Sequence, residues 1–134
     1  MSLIVDASVA VKWFAAEENS DRARALFASG EALIAPDLVL AEVSNVMWKK
    51  LRRGLLPPDQ VMTAARRLPQ YFERLIPIGE LVERATELTI TLDHPVYDCF
   101  YLALAERERL PLVSADNRLL ALLGRRRLID ARPL

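Results

Sequence analysis

Short apolar runs alternate along the chain with longer stretches in which apolar positions recur every three or four residues. The runs "LIV" (3–5), "ALIA" (32–35), "RLIPI" (74–78) and "LPLVS" (110–114) read as β-strands, with "RLID" (127–130) as a fifth. Between them the helical period predicts helices over 8–14, 20–28, 37–53, 58–68, 80–92, 96–109 and 117–122. Pro36, Pro57, Pro58 and Pro95 stand just before or at helix starts, where a missing backbone donor costs little. Strands alternating with helices predict an α/β domain around a central, mostly parallel sheet of four or five strands. No internal repeat, low-complexity tract or long linker divides the chain, so residues 1–134 are expected to form one domain.

Composition narrows the classes. A chain of 134 residues buries roughly two-thirds of its unfolded surface and needs no covalent staple. Cys99 has no thiol partner in the sequence, which excludes a disulfide framework and suits a reducing interior. The opening residues carry no basic stretch before Asp6, and no uncharged run approaches the ~20 apolar residues of a membrane helix. A soluble, cytoplasmic protein is therefore expected. Basic and acidic residues balance at 18 each, so the whole molecule is not drawn to polyanions by net charge. The basic residues do cluster, in "KKLRR" (49–53), "RR" (66–67) and "RRR" (125–127). Taken alone, such runs suit a solvated helix face or a helix C-terminus.

Four acids stand in unusual company. Asp6 ends the first apolar run, and Asp116 follows "LVS" in the same strand-then-acid arrangement. Glu42 is the only charge between Asp37 and Lys49, on a helix whose apolar face holds Leu38, Val39, Val43, Val46 and Met47. Asp98 is the only charge between its helix start and Glu106. A buried carboxylate without a partner is costly, so each of the four requires one. In an open parallel sheet, Asp6 and Asp116 would reach the carboxyl rim where functional groups gather, and Glu42 and Asp98 lie near helix starts on that rim. No lysine or arginine lies near Asp6, Glu42 or Asp98 in the sequence, which makes a divalent cation the natural counter-charge, and oxygen-only ligation favours Mg²⁺ or Mn²⁺. One histidine and one cysteine do not build a His/Cys zinc site. Each acid also has a plainer use: Asp6 and Asp116 suit helix N-caps, Asp98 a helix dipole, and Glu42 an arginine elsewhere in the chain. Ser8, Asn45 and Ser114 suit local caps or hydrogen bonds that orient the carboxylates. His94 reads as a turn residue, and Trp13, Trp48 and Tyr101 as core or interface.

Read together, "VDAS" (5–8), "ExxN" (Glu42 to Asn45), "YDCFYLALA" (97–105) and "LVSAD" (112–116) resemble the successive motifs of the PIN domain, in particular the small VapC toxins of toxin–antitoxin pairs. Asp6, Glu42, Asp98 and Asp116 fall on the family's acidic quartet, and Ser8, Asn45 and Ser114 on its polar accessory positions. Ser114 stands where the family more often has threonine and keeps the hydroxyl. The resemblance implies a three-layer α/β/α fold and Mg²⁺- or Mn²⁺-dependent endoribonuclease activity on tRNA, rRNA or mRNA. It also implies a homodimer and a VapB-like antitoxin that blocks the active-site groove and joins the toxin in a larger assembly. Within that scheme Asp6 and Asp98 are the expected primary metal ligands. Asp116 completes the set directly or through water, and Glu42 holds a second ion or orients the attacking water. A housekeeping RNA-processing nuclease and a non-catalytic PIN scaffold remain open on the same residues. A receiver-like signalling domain fits less well, because no adjacent acids follow "LIV" and no lysine follows Lys50.

Overall fold

The computed structural model describes residues 1–126 and 129–134. Its strands are β1 (Ser2–Val5), β2 (Ala32–Pro36), β3 (Arg74–Ile76), β4 (Leu112–Ser114) and β5 (Ala131–Pro133). They form one sheet in the order β3-β2-β1-β4-β5, and every pairing is parallel. The helices among the described residues are α1 (Ala7–Ala10), α2 (Ser20–Ala28), α3 (Leu38–Arg52), α4 (Pro58–Arg67), α5 (Val82–Leu92), α6 (Val96–Glu108) and α7 (Asn117–Arg126). Short 3₁₀ turns follow α1 and α4 and precede α5.

The chain moves from β1 outward to β3, then crosses to the far side of β1 for β4 and β5. Right-handed crossovers therefore put α1–α4 on one face of the sheet and α5–α7 on the other, giving the three-layer α/β/α architecture. Strand order reverses between β1 and β4, and there the carboxyl ends of adjacent strands open a crevice.

The core follows from the burial pattern. Ile4, Val5, Ile34, Ala35 and Leu112 are sealed between the layers. A parallel strand covered on both faces reads as a continuous apolar run, as "LIV" and "LIA" do. Helix α6 is buried without interruption from Cys99 to Ala105 and packs on β1, β2, β4 and α5. A helix apolar on all sides belongs in the interior. Leu104→Ala there leaves a cavity with no solvent route, since Leu104 is fully buried. The expected loss is about 2–5 kcal/mol of unfolding free energy, measured by urea titration.

Element edges depart from the sequence pattern where proline intervenes. The third strand stops at Ile76, because Pro77 has no N–H to continue the ladder, and the fourth starts after Pro111 for the same reason. Helix α7 runs four residues beyond the expected end at 122, since Leu119 and Leu123 keep one apolar face buried through the last turn. The expected strand over 127–130 includes Arg127 and Leu128, which lie outside the described residues. Ile129 and Asp130 are not strand, and pairing with β4 begins at Ala131.

Candidate active site

At the crevice, β1 ends at Val5 and the next residue, Asp6, is only 4% exposed. Asp6 is the N-cap of α1, its Oδ1 accepting from the Val9 N–H at 3.3 Å, so the plain capping role is real. Its carboxylate is also gripped by two hydroxyls. Ser8 Oγ donates to Oδ1 and Ser114 Oγ to Oδ2, each at 2.5 Å. Ser8 Oγ in turn accepts from the Ala115 N–H at 3.0 Å, which ties the start of α1 to the end of β4.

These bonds favour the charged carboxylate, yet burial outweighs them and pushes the Asp6 carboxyl up to about 6, with the negative charge of Asp98 adding to the rise. Glu42 is half-buried on α3, one residue from the buried Val43. Its carboxyl is also raised, first by burial and further by the charges of Asp98 and Asp6. The charges of Asp6, Glu42 and Asp98 thus bear on one another across the crevice. Among the described residues no lysine or arginine forms an ion pair with any of the four acids.

Asp116 is tied to the group through its backbone. Its N–H donates to Ser114 Oγ at 3.0 Å, and its Oδ1 accepts from the N–H groups of Arg118 and Leu119 at 3.0 and 3.2 Å. It therefore caps α7 while one carboxylate oxygen stays clear of those bonds. Asn45 is exposed, three residues beyond Glu42 on α3, and is not drawn into the hydrogen-bonded group.

Two residues that the sequence pattern assigns to core and turn also serve the acids. Tyr101 is 1% exposed and belongs to the core, but its hydroxyl donates to Glu42 Oε1 at 2.6 Å. The phenol is held well above its ordinary range, first by burial and then by the adjacent Glu42 charge, so it stays a donor. His94 lies in the turn between α5 and α6. Asp93 there adopts left-handed backbone (φ 50°), and His94 Nε2 comes within 2.6 Å of Asp98 Oδ2. The spacing carried part of this signal. Tyr101 is three residues after Asp98 and shares its helix face, and His94 is four before it.

Among the described residues no three His, Cys, Asp or Glu side chains form a ready-made metal cage. Mg²⁺ does not need one, because it keeps several waters and takes one or two carboxylates with substrate phosphate. Mutually repelling carboxylates that offer oxygen donors, with no lysine or arginine paired to them among the described residues, fit a hard divalent cation on donor chemistry.

The PIN domain family model matches residues 3–123 of this sequence. The chain belongs to the PIN domain family. This PIN domain is 34% identical over 121 residues to Ribonuclease VapC3 of Pyrobaculum aerophilum, covering 89% of this chain and 92% of that one. In structure it is similar to Mycobacterium tuberculosis VapC20, described as a sarcin-ricin loop cleaving toxin. The TM-score is 0.71 at 21% identity, over 90% of this chain and 94% of that one. The Rickettsia felis VapBC2 structure, bound to a DNA fragment from its promoter, gives a TM-score of 0.71 at 15% identity, over 100% of this chain and 99% of that one. These two likenesses establish the PIN fold. The receiver-like alternative is displaced by the family match. No helix among the described residues is long and apolar enough to cross a membrane.

Proposed function

We propose that this PIN domain is a divalent-metal-dependent endoribonuclease of the VapC kind, acting in the cytoplasm as the toxin of a toxin–antitoxin pair. The observation that carries the reading is the carboxylate group at the β1/β4 crevice: Asp6, Glu42 and Asp98 act on one another electrostatically, and among the described residues no lysine or arginine is paired with them. The ribonuclease name of a relative matched over most of both chains supports the same reading. Asp6 and Asp98 would hold the cation, Mg²⁺ with Mn²⁺ as substitute, and Asp116 would complete the set directly or through water. When bound, the cation polarises the scissile phosphate and makes water a stronger nucleophile near neutral pH.

The chain's own residues do the remaining work. Ser8 and Ser114 fix both Asp6 oxygens and keep the carboxylate from rotating. Tyr101 holds Glu42 through Oε1, leaving Oε2 as the oxygen that would orient the attacking water or hold a second ion. His94 sets the rotamer of Asp98 from the neighbouring turn. Asn45, exposed on α3, would bind substrate or solvent at the rim. Tyr101→Phe keeps the ring in the core and removes only the hydroxyl. RNA cleavage is expected to fall about tenfold with an unchanged circular dichroism spectrum, since partners that orient site groups carry that order of effect.

A VapB-like antitoxin is the proposed restraint, with a homodimer as the toxin's own assembly. The presence of an antitoxin partner in the Rickettsia felis VapBC2 complex supports that pairing. The reading is tested by incubating purified protein with tRNA, rRNA and mRNA under Mg²⁺ or Mn²⁺, beside Asp98→Asn. Discrete products lost in the variant are expected. Equal products from both proteins would overturn the assignment.

A further inference from the structure

Beside the carboxylates, between the α5–α6 turn and α7, lies a groove of about 400 Å³. Leu92, Asp93 and His94 line one wall, and Arg118, Leu122 and Arg125 line the other. The groove touches the site at two points. His94 is the partner of Asp98, and the Arg118 N–H is bonded to Asp116 Oδ1. Arg118 and Arg125 are exposed and, among the described residues, neither forms an ion pair with a carboxylate. Seven residues, two helical turns, separate them on one face of α7, or roughly 10 Å along the axis.

We propose that this groove carries the substrate strand away from the scissile phosphate, with Arg118 and Arg125 each meeting a different backbone phosphate of a single-stranded RNA segment. The inference rests on the ribonuclease reading and deepens it. An unpaired guanidinium presents several donors in a planar fork that matches phosphate oxygens. Asp93 is the one acid on the walls, and the two arginines outweigh it. Its charge and those of the catalytic acids confine the strand to the α7 side. Leu92 and Leu122 give the groove an apolar floor against which a base or ribose face can rest. The basic run at 49–53 is a less suitable track for the same strand. Lys50 is already paired with Glu17 at 2.6 Å, and Arg52 lies over the Trp48 ring. Arg52 is also ten residues along α3 from Glu42, or about 15 Å.

The test uses the full chain and a fluorescently labelled single-stranded RNA 12-mer of mixed sequence. Binding is followed by anisotropy across a KCl series in EDTA, and steady-state cleavage is followed with Mg²⁺. For the double variant Arg118→Gln/Arg125→Gln, affinity is expected to fall about tenfold. The slope of log K against log salt should shrink by about 1.4, because each lost single-strand phosphate contact removes about 0.7. KM should rise by a similar factor while kcat changes less than about twofold, a split that a merely structural role does not produce. Arg22→Gln/Arg24→Gln on α2 removes the same net charge at exposed positions away from the groove and should change affinity less than about twofold. Unchanged affinity and slope in the α7 variant, or an equal loss in the α2 variant, would overturn the groove. Failure of the wild type to cleave, with its binding still lost in the α7 variant, would instead overturn the ribonuclease reading and leave the groove standing.

Discussion

Asp6→Asn is expected to abolish RNA cleavage while making the metal-free protein more stable above pH 7. The two effects share one cause. The Asp6 carboxyl is pushed from its ordinary 3.8 to about 6, chiefly by burial. Between those values the folded chain binds more protons than the unfolded one, so this group's contribution to stability is fullest below pH 3.8. It declines as pH rises toward 6 and is gone above. The shift corresponds to about 3 kcal/mol at most, of which the asparagine recovers a part. Its carbonyl oxygen can accept from Ser8 and the Val9 N–H, and its amide can donate to Ser114 once that hydroxyl turns. A gain of about 1–2 kcal/mol, or roughly 5 °C in Tm at pH 8, is expected by thermal melting in EDTA. The gain should vanish near pH 4, where the wild-type group is already neutral. A lower Tm than wild type at pH 8 would mean that the hydroxyl grip outweighs burial. The loss of cleavage should exceed about 100-fold, because removing the charged oxygen from a metal site forfeits ~3 kcal/mol or more of transition-state stabilisation.

Chelation is the second large effect. EDTA should remove cleavage to below about one part in a thousand, the rate equivalent of ~4 kcal/mol of charge stabilisation, and Mg²⁺ or Mn²⁺ should restore it. The same ions should stabilise the fold, because a ligand that binds only the native state adds about 2.7 kcal/mol at a hundred times its Kd. In the wild type the added cation also relieves the repulsion among Asp6, Glu42 and Asp98, so Tm at pH 8 should rise by about 5 °C or more. In Asp6→Asn the rise should be small. An equal rise in both proteins would place the stabilising ion elsewhere on the surface.

How far the sequence reveals this arrangement depends on the range of each interaction. Asp6 is legible because strand and acid are adjacent: "LIV" predicts the strand, and the sheet order carries its end to the rim. Ser8 is legible for the same reason. Ser114 needs the pairing of β1 with β4: the alternation of strands and helices anticipates that the sheet is parallel, but the adjacency of these two strands comes from the structure. Tyr101 is harder. Its contact with Glu42 spans 59 positions and depends on how α3 and α6 meet across the site, while its apolar neighbours describe a core residue equally well. His94 hides behind Pro95, which correctly announces a turn but not the left-handed residue before it that returns the ring to Asp98. Of the element edges, those set by Pro77 and Pro111 follow from local chemistry once pairing is known. The start of β5 at Ala131 is decided by its partner, since Leu112 sits opposite Ala131 and nothing within "RLID" shows it.

If one carboxylate group both holds the cation and drives cleavage, a single Mn²⁺ titration reads both roles at once. Wild-type protein at pH 8 is taken from EDTA through rising Mn²⁺, with RNA cleavage rate and Tm recorded on the same samples. No cleavage is expected at zero Mn²⁺, and the two curves should rise together with a common midpoint. Cleavage that persists in EDTA, or a Tm that saturates while the rate stays at zero across the RNA panel, would contradict that dual role.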